Sequence, residues 1–262
     1  MAIIQEMTWD EVKRDLIETR VALIPVGSTE QHGYHMPLGS DTYCAEAVAK
    51  RTAAKENCVV IPAIPYGISH SHMSFPGTIT LSCQTLFRVV TEICECLYRH
   101  GVNKFILING HGHNGPTLQT VMDEFKKSHE AYFFLINWWI AGYRLTPNIW
   151  ASQKDELPEG HAAEIETAGM LATYPALVKM EKAEKILLGT LKNTKIKFNK
   201  STLALLKDYP VELTTVQDFD ELSKTGVVGS PLGATKEKGE IVIDKVTDFL
   251  ADLIRELKKL KD

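Results

Sequence analysis

The chain has 262 residues, 44% apolar content and a formal charge of −4, enough to bury a full core as one large domain or as one domain with an excursion. A pI near 6.2 and the lack of a basic stripe exclude a dedicated nucleic-acid binder, because phosphate neutralisation requires clustered Lys and Arg. The longest apolar stretch, 132–142, falls short of the roughly 20 residues of a spanning helix, and Glu6, Asp10 and Glu11 interrupt the start before a secretory segment forms, so a cytoplasmic protein with no membrane partner is expected.

In chain order, helical apolar spacing runs from Trp9 to Thr19 behind a Thr8 cap, followed by an apolar β-branched run from Val21 to Val26. Residues 42–55 read as a helix, 59–64 as a strand, 84–100 as a helix closed by Gly101, and 105–108 as a third strand. A helix opened by Pro116 covers 116–129, and Tyr132 to Asn137 is the fourth strand. Such β–α alternation predicts an α/β fold with a mainly parallel central sheet and helices on both faces. A lysine-rich, weakly patterned stretch at about 182–224 is expected to be an excursion that covers the site or contacts a neighbouring subunit. Residues 225–240 are turn-rich and lead into an amphipathic helix over about 241–260. The five cysteines show no Cys-x-x-Cys pair and read as thiols of a reducing compartment.

Each predicted strand is followed by residues suited to a pocket: Glu30 and His32, then His70 and His72, then His111 and His113, then Trp138 and Trp139. Parallel strands place these loops on one sheet edge, where open α/β sheets hold their ligands. Two segments, Gly27-Ser28-Thr29-Glu30-Gln31-His32-Gly33 with Asp41 beyond it and Asn109-Gly110-His111-Gly112-His113-Asn114, read as halves of one metal site. Carboxylates and imidazoles without cysteine suit zinc, manganese or iron(II) in a catalytic site. Asp41, between the two motifs' contributions, is the natural bridge for two divalent cations. A third contributor is the stretch 160–167. If it is helical from its start, His161 and Glu164 share a face while Glu166 lies around the cylinder, which favours Glu164 over Glu166 as a ligand. The charges of Glu30, Asp41 and Glu164 leave two divalent cations short of neutrality by one hydroxide, and a bound cation lowers the pKa of water from ~15.7 towards neutral. His161, near the metals but not on them, is placed to donate a proton to a departing nitrogen. Taken singly, Glu-x-His also reads as solvated surface, Asn-Gly-His-Gly as a tight turn, and Glu166 as a hydrogen-bonding neighbour of the ligands or a helix surface group.

These motifs, together with Pro37-Leu38, Phe75-Pro76-Gly77-Thr78, Asn114, His161-Ala162-Ala163-Glu164 with Glu166-Thr167, and the closing Thr225-Gly226-Val227, Gly229, Pro231, Ala234-Thr235, Glu237 and Gly239, resemble the creatininase (creatinine amidohydrolase) family over most of the chain. The resemblance implies a three-layer α/β/α sandwich, a binuclear metal centre, hydrolysis of a non-peptide C–N bond in a small polar substrate, and a homohexamer built as a trimer of dimers. Carried over by position, Glu30 and His111 hold one metal, His32 the other and Asp41 both, and His161 is the proton-shuttling histidine. Relative to creatininases proper, this chain has His113 for a glutamate ligand, Glu164 for an apolar residue, Gly112 for a tyrosine and Leu157 for a lid tryptophan, while Trp138 matches the other pocket tryptophan. These departures direct the expected substrate away from creatinine. Family members with this ligand arrangement resemble formamide hydrolases, a peptide-trimming enzyme of redox-cofactor maturation and a cyclic-diketone hydrolase. The expected ligands of two zinc or manganese ions are thus Glu30, His32, Asp41, His111 and Glu164, with His113 and Glu166 left open. The competing expectation is a non-catalytic ligand-binding or scaffold protein that keeps the fold.

Overall fold

Five parallel strands form the centre of the computed structural model, which describes residues 2–151, 158, 160–187 and 218–260. They are β1 (Ala2–Ile3), β2 (Val21–Val26), β3 (Val59–Val60), β4 (Lys104–Asn109) and β5 (Tyr132–Asn137), in the spatial order β1-β3-β2-β4-β5. The central pair, β2 and β4, runs in register from Val21 opposite Lys104 to Val26 opposite Asn109. Both are buried along their whole length, as the near-continuous apolar runs VALIPV and KFILIN require of strands covered on both faces.

Alternation along these strands divides the core into two layers. Val21, Leu23, Ile106 and Ile108 face helices α2 (Ser40–Lys55), α5 (Trp138–Leu145), α6 (Glu164–Thr173) and α8 (Lys236–Leu257). Ala22, Ile24, Phe105 and Leu107 face α1 (Trp9–Thr19), α3 (Cys83–Arg99) and α4 (Gly115–Lys126). The arrangement is the expected three-layer α/β/α sandwich. Helix starts follow local chemistry: Thr8 and Glu11 form a reciprocal capping box on α1, and the Ser82 and Thr235 hydroxyls accept from Thr85 N and Lys238 N at the heads of α3 and α8.

Three sequence expectations shift. The two-residue edge strand β1 is additional. The strand expected over 59–64 ends at Val60; Ile61 N still donates to Leu23 O at 3.2 Å, and beyond Pro62, which has no N–H for a ladder, Ile64 N donates to Pro25 O at 3.0 Å. Trp138 and Trp139 open α5 instead of lying in a loop, and both are buried in the core. The excursion at about 182–224 lies mostly outside the described residues, as does Leu157; the short helix α7 (Phe219–Leu222) is its described end.

Candidate metal centre

The loops leaving β2, β3 and β4 meet at the carboxyl edge of the sheet. Asn114 fastens all three: its Oδ1 accepts from Ile68 N at 2.9 Å, and its Nδ2 donates to Gly27 O at 2.9 Å and to Asn109 Oδ1 at 3.4 Å. Asp41, in the first turn of α2, lies directly against the end of β4; a Cβ on Gly110 would stand 2.2 Å from Asp41 O. Glycine there permits the close approach that brings the two sequence motifs together.

Glu30, His32, Asp41, His111 and His161 are all buried and adjacent. Their ligating atoms, with those of His72 and Glu166, form three groups each within 4.8 Å: Glu30, Asp41 and His111; His32, His161 and Glu166; Glu30, His72 and His161. Asp41 faces both ways, with Oδ1 3.0 Å from His32 Nε2 and Oδ2 3.3 Å from His111 Nδ1. Glu30 has one oxygen held and one presented: Oε2 accepts from Ser69 Oγ at 2.6 Å, whereas Oε1 lies 3.0 Å from His111 Nδ1. Neither Glu30 Oε1 nor Asp41 Oδ2 makes a hydrogen bond, although both are fully buried.

The histidines explain this. A backbone carbonyl can only accept, so a ring nitrogen bonded to one must carry the hydrogen. His111 Nε2 donates to Ile68 O at 2.8 Å, His32 Nδ1 to Glu30 O at 3.2 Å, and His161 Nε2 to Gln31 O at 2.7 Å. When the rings are neutral, the opposite nitrogens of all three therefore point lone pairs at carboxylate oxygens, at 3.0 Å for both His111 and His32 and 3.8 Å for His161. Lone pairs facing lone pairs in a buried pocket fit a cation between them, and a ligand histidine commonly fixes its other N–H on a carbonyl in this way.

Electrostatics report the same imbalance in the cation-free chain. Burial pulls the His32 ring down, but Asp41 and its neighbours carry it up to about 10, and Glu30 and Asp41 raise His111 against the same burial. Burial opposes ionisation of Glu30, yet the surrounding His111, His72 and His161 rings hold it well below the usual carboxylate range. Protons take the place of cations. Glu166 is pushed up to about 8 by burial, against the pull of His32, while burial and the charge of His32 push His161 down to about 3.

Among the sequence-predicted ligands, Glu164 is not brought into the cluster. Its Oε1 accepts from Lys238 Nζ at 2.5 Å and from Ala151 N at 2.9 Å, on the far side of the α6 start. Glu166 stands in the cluster instead, Oε2 lying 3.8 Å from His32 Nε2 and accepting from Ala162 N at 2.7 Å. The reason is local: Ala162 has φ +53° and α6 begins only at Glu164, so the helical spacing between positions 161 and 164 does not apply. His113 lies beside the cluster, its Nδ1 3.4 Å from Ser71 Oγ, and belongs to none of the three groups. His70 is exposed and His72 is buried within the site. Two residues had no role assigned from the sequence. Gln31 sits unremarked between two expected ligands, and Phe219 stacks on His72 with ring centroids 3.9 Å apart and meets His161 at 4.7 Å.

A family profile described as Creatininase: Creatinine amidohydrolase matches residues 5–254. The chain is 28% identical over 270 residues to the creatinine amidohydrolase of Pseudomonas putida, covering 96% of this chain and 95% of that protein. It is 27% identical over 268 residues to the 3-dehydro-scyllo-inosose hydrolase of Thermotoga maritima, covering 97% and 82%. A solved structure named Creatininase Mn superposes with a TM-score of 0.78 at 26% identity over 99% of each chain. With this fold, the family's motifs at one sheet edge and a match over nearly its whole length, the chain belongs to the creatininase family of hydrolases.

Proposed function

We propose that the chain is a binuclear metal-dependent amidohydrolase in which Glu30, Asp41 and His111 hold one divalent cation, and His32, Asp41 and Glu166 hold the other. The observation that carries this reading is the pair of ring N–H groups of His32 and His111 committed to backbone carbonyls, which turns their other nitrogens towards Glu30 and Asp41, whose buried Oε1 and Oδ2 have no hydrogen-bond partner. The two-sided position of Asp41 supports it as the shared ligand. Zinc and manganese suit this nitrogen and oxygen donor set. When bound, such cations act as Lewis acids and make water nucleophilic near neutral pH.

His161 is the proposed proton carrier. Its Nε2–H is fixed on Gln31 O, so Nδ1 is the atom that accepts a proton and passes it to the departing nitrogen. Phe219 and the burial of every ligand support a small substrate held away from bulk water. A cyclic amide other than creatinine is the first expectation. A cyclic ketone is the second reading, favoured by the near full-length likeness to the inosose hydrolase. We also infer one domain, a family-like hexamer, tested by sedimentation, and a reducing, cytoplasmic setting supported by free cysteines. No described helix is long and apolar enough to cross a membrane.

The test is a screen of the zinc- or manganese-loaded chain against lactams, formamides and cyclic ketones, beside Asp41→Ala and His161→Ala. Turnover that both substitutions abolish is expected. Equal rates from all three proteins, or tight binding without turnover, would overturn the reading in favour of a non-catalytic binding protein.

A further inference from the structure

His72 shares its donor group with Glu30 and His161, and by distance alone it is a candidate ligand. Its hydrogen-bond partner decides otherwise. His72 Nδ1 lies 2.9 Å from Gln31 Nε2, and the orientation of the Gln31 amide is determined independently at two points. Gly33 N, which can only donate, lies 3.0 Å from Oε1, and Gly226 O, which can only accept, lies 3.1 Å from Nε2. Rotating the amide by half a turn would set donor against donor at Gly33 and acceptor against acceptor at Gly226. Gly226 is held to glycine by the same contact, since its φ is +85° and a Cβ would fall 1.7 Å from Gln31 Oε1.

With Nε2 of Gln31 as a donor, His72 Nδ1 must be an acceptor, which excludes both the Nδ1–H tautomer and the imidazolium. The remaining hydrogen sits on His72 Nε2, 3.4 Å from the Oε1 of Glu30 that has no hydrogen bond. Stacking on Phe219 holds the plane of the ring, and a half-turn within that plane would put Cδ2 in place of Nδ1 and lose the Gln31 bond. His72 is thus the reverse of His32, His111 and His161: its N–H points into the cluster and its lone pair points out.

We infer that Gln31 and His72 form a positioning relay, in which the amide locks His72 as a neutral N–H donor that aims Glu30 and is itself not a metal ligand. The inference rests on the binuclear reading for its consequence but not for its test. In full-length protein labelled with ¹⁵N-histidine, long-range ¹H–¹⁵N spectra give the tautomer of each ring with and without Zn²⁺. The expected result is an Nε2–H tautomer for His72 in both states, with Nδ1 unprotonated, while His32 and His111 change on adding zinc. Gln31→Glu, whose carboxylate accepts from Nδ1, should switch His72 to the Nδ1–H form and weaken zinc affinity about 10- to 100-fold in chelator competition, with the number of zinc ions per chain unchanged. His72→Gln, which keeps an N–H, should retain more affinity than His72→Ala. An Nδ1–H or doubly protonated His72 in the unsubstituted protein would overturn the relay, as would zinc bound at its Nε2, one zinc fewer in His72→Ala, or unaltered affinity in Gln31→Glu. The unsubstituted spectrum decides even if a variant fails to fold. Failure of the unsubstituted chain to bind zinc at all would instead defeat the metal reading and leave the metal-free tautomer as the test.

Discussion

Two buried acidic regions lie side by side at the start of α6, and the protein neutralises them in opposite ways. Glu164 receives an ammonium, Lys238, whose Nζ also donates to Gly233 O at 2.8 Å and so ties the head of α8 to the head of α6. Glu30, Asp41 and Glu166 have only histidines within ion-pair distance among the described residues, and three of those rings, when neutral, turn lone pairs towards the carboxylates. A buried carboxylate used for structure is paired from within the chain. The neighbouring set has no ammonium or guanidinium among the described residues, and in the cation-free chain its counter-charge is carried by protons on His32 and His111, which bound cations would replace.

Removing the shared carboxylate is the largest test of that contrast. Asp41→Ala should lower affinity for zinc or manganese by more than about 100-fold, the upper range for changes merely adjoining a ligand shell, and should abolish turnover. Exchanging the two glutamates separates the regions. Glu164→Gln should destabilise the chain by on the order of 3 kcal/mol, because Lys238 loses its partner, while metal stoichiometry is kept. Glu166→Gln should do the reverse, weakening metal binding by at least about tenfold with little loss of metal-free stability at neutral pH, where burial already keeps Glu166 protonated. Chemical denaturation and chelator competition on both variants check the pair, and like effects on both would erase the distinction.

A subtler difference appears with pH. His32 and Glu166 have folded pKa values raised to about 10 and about 8 in the cation-free chain, above their ordinary 6.5 and 4.5. Each raised value gives stability that is complete below the ordinary pKa and lost as pH rises through the folded one. Metal-free protein should therefore melt at progressively lower temperature from pH 7 to 10 (expected range from those shifts). Loaded protein should instead lose metal as pH falls, since ligand histidines must be neutral to coordinate. A metal-free melting temperature that rises with pH over the alkaline range would contradict the charge arrangement. The smallest effect concerns burial alone: Cys83 and Cys96 are exposed and should label at once, whereas Cys44, Cys58 and Cys94 should react only on unfolding, burial having pushed the Cys58 and Cys94 thiols up to about 12.

Much of this was legible from local pattern. The bounds of α1, β2 and β5 follow directly from apolar period and capping, and β-strand ends announce the loops that carry Glu30, His32 and His111. Where local reasoning failed, a non-local or backbone feature intervened. The positive φ of Ala162 delays α6 and exchanges Glu166 for Glu164 in the cluster, and nothing in an alanine signals that conformation. Trp138 packs against Gly169, where a Cβ would lie 2.7 Å from the ring, so its burial depends on a residue some thirty positions away. The Gln31 amide is defined by Gly226, 195 positions along the chain, which no spacing rule reaches.

Elemental analysis of the purified chain after saturation with Zn²⁺ or Mn²⁺ and exhaustive dialysis tests the central claim most directly. The arrangement of Glu30, His32, Asp41, His111 and Glu166 predicts two retained ions per chain, and none at stoichiometric level in Asp41→Ala. No retained metal in the unsubstituted chain, or equal retention in both proteins, would contradict it.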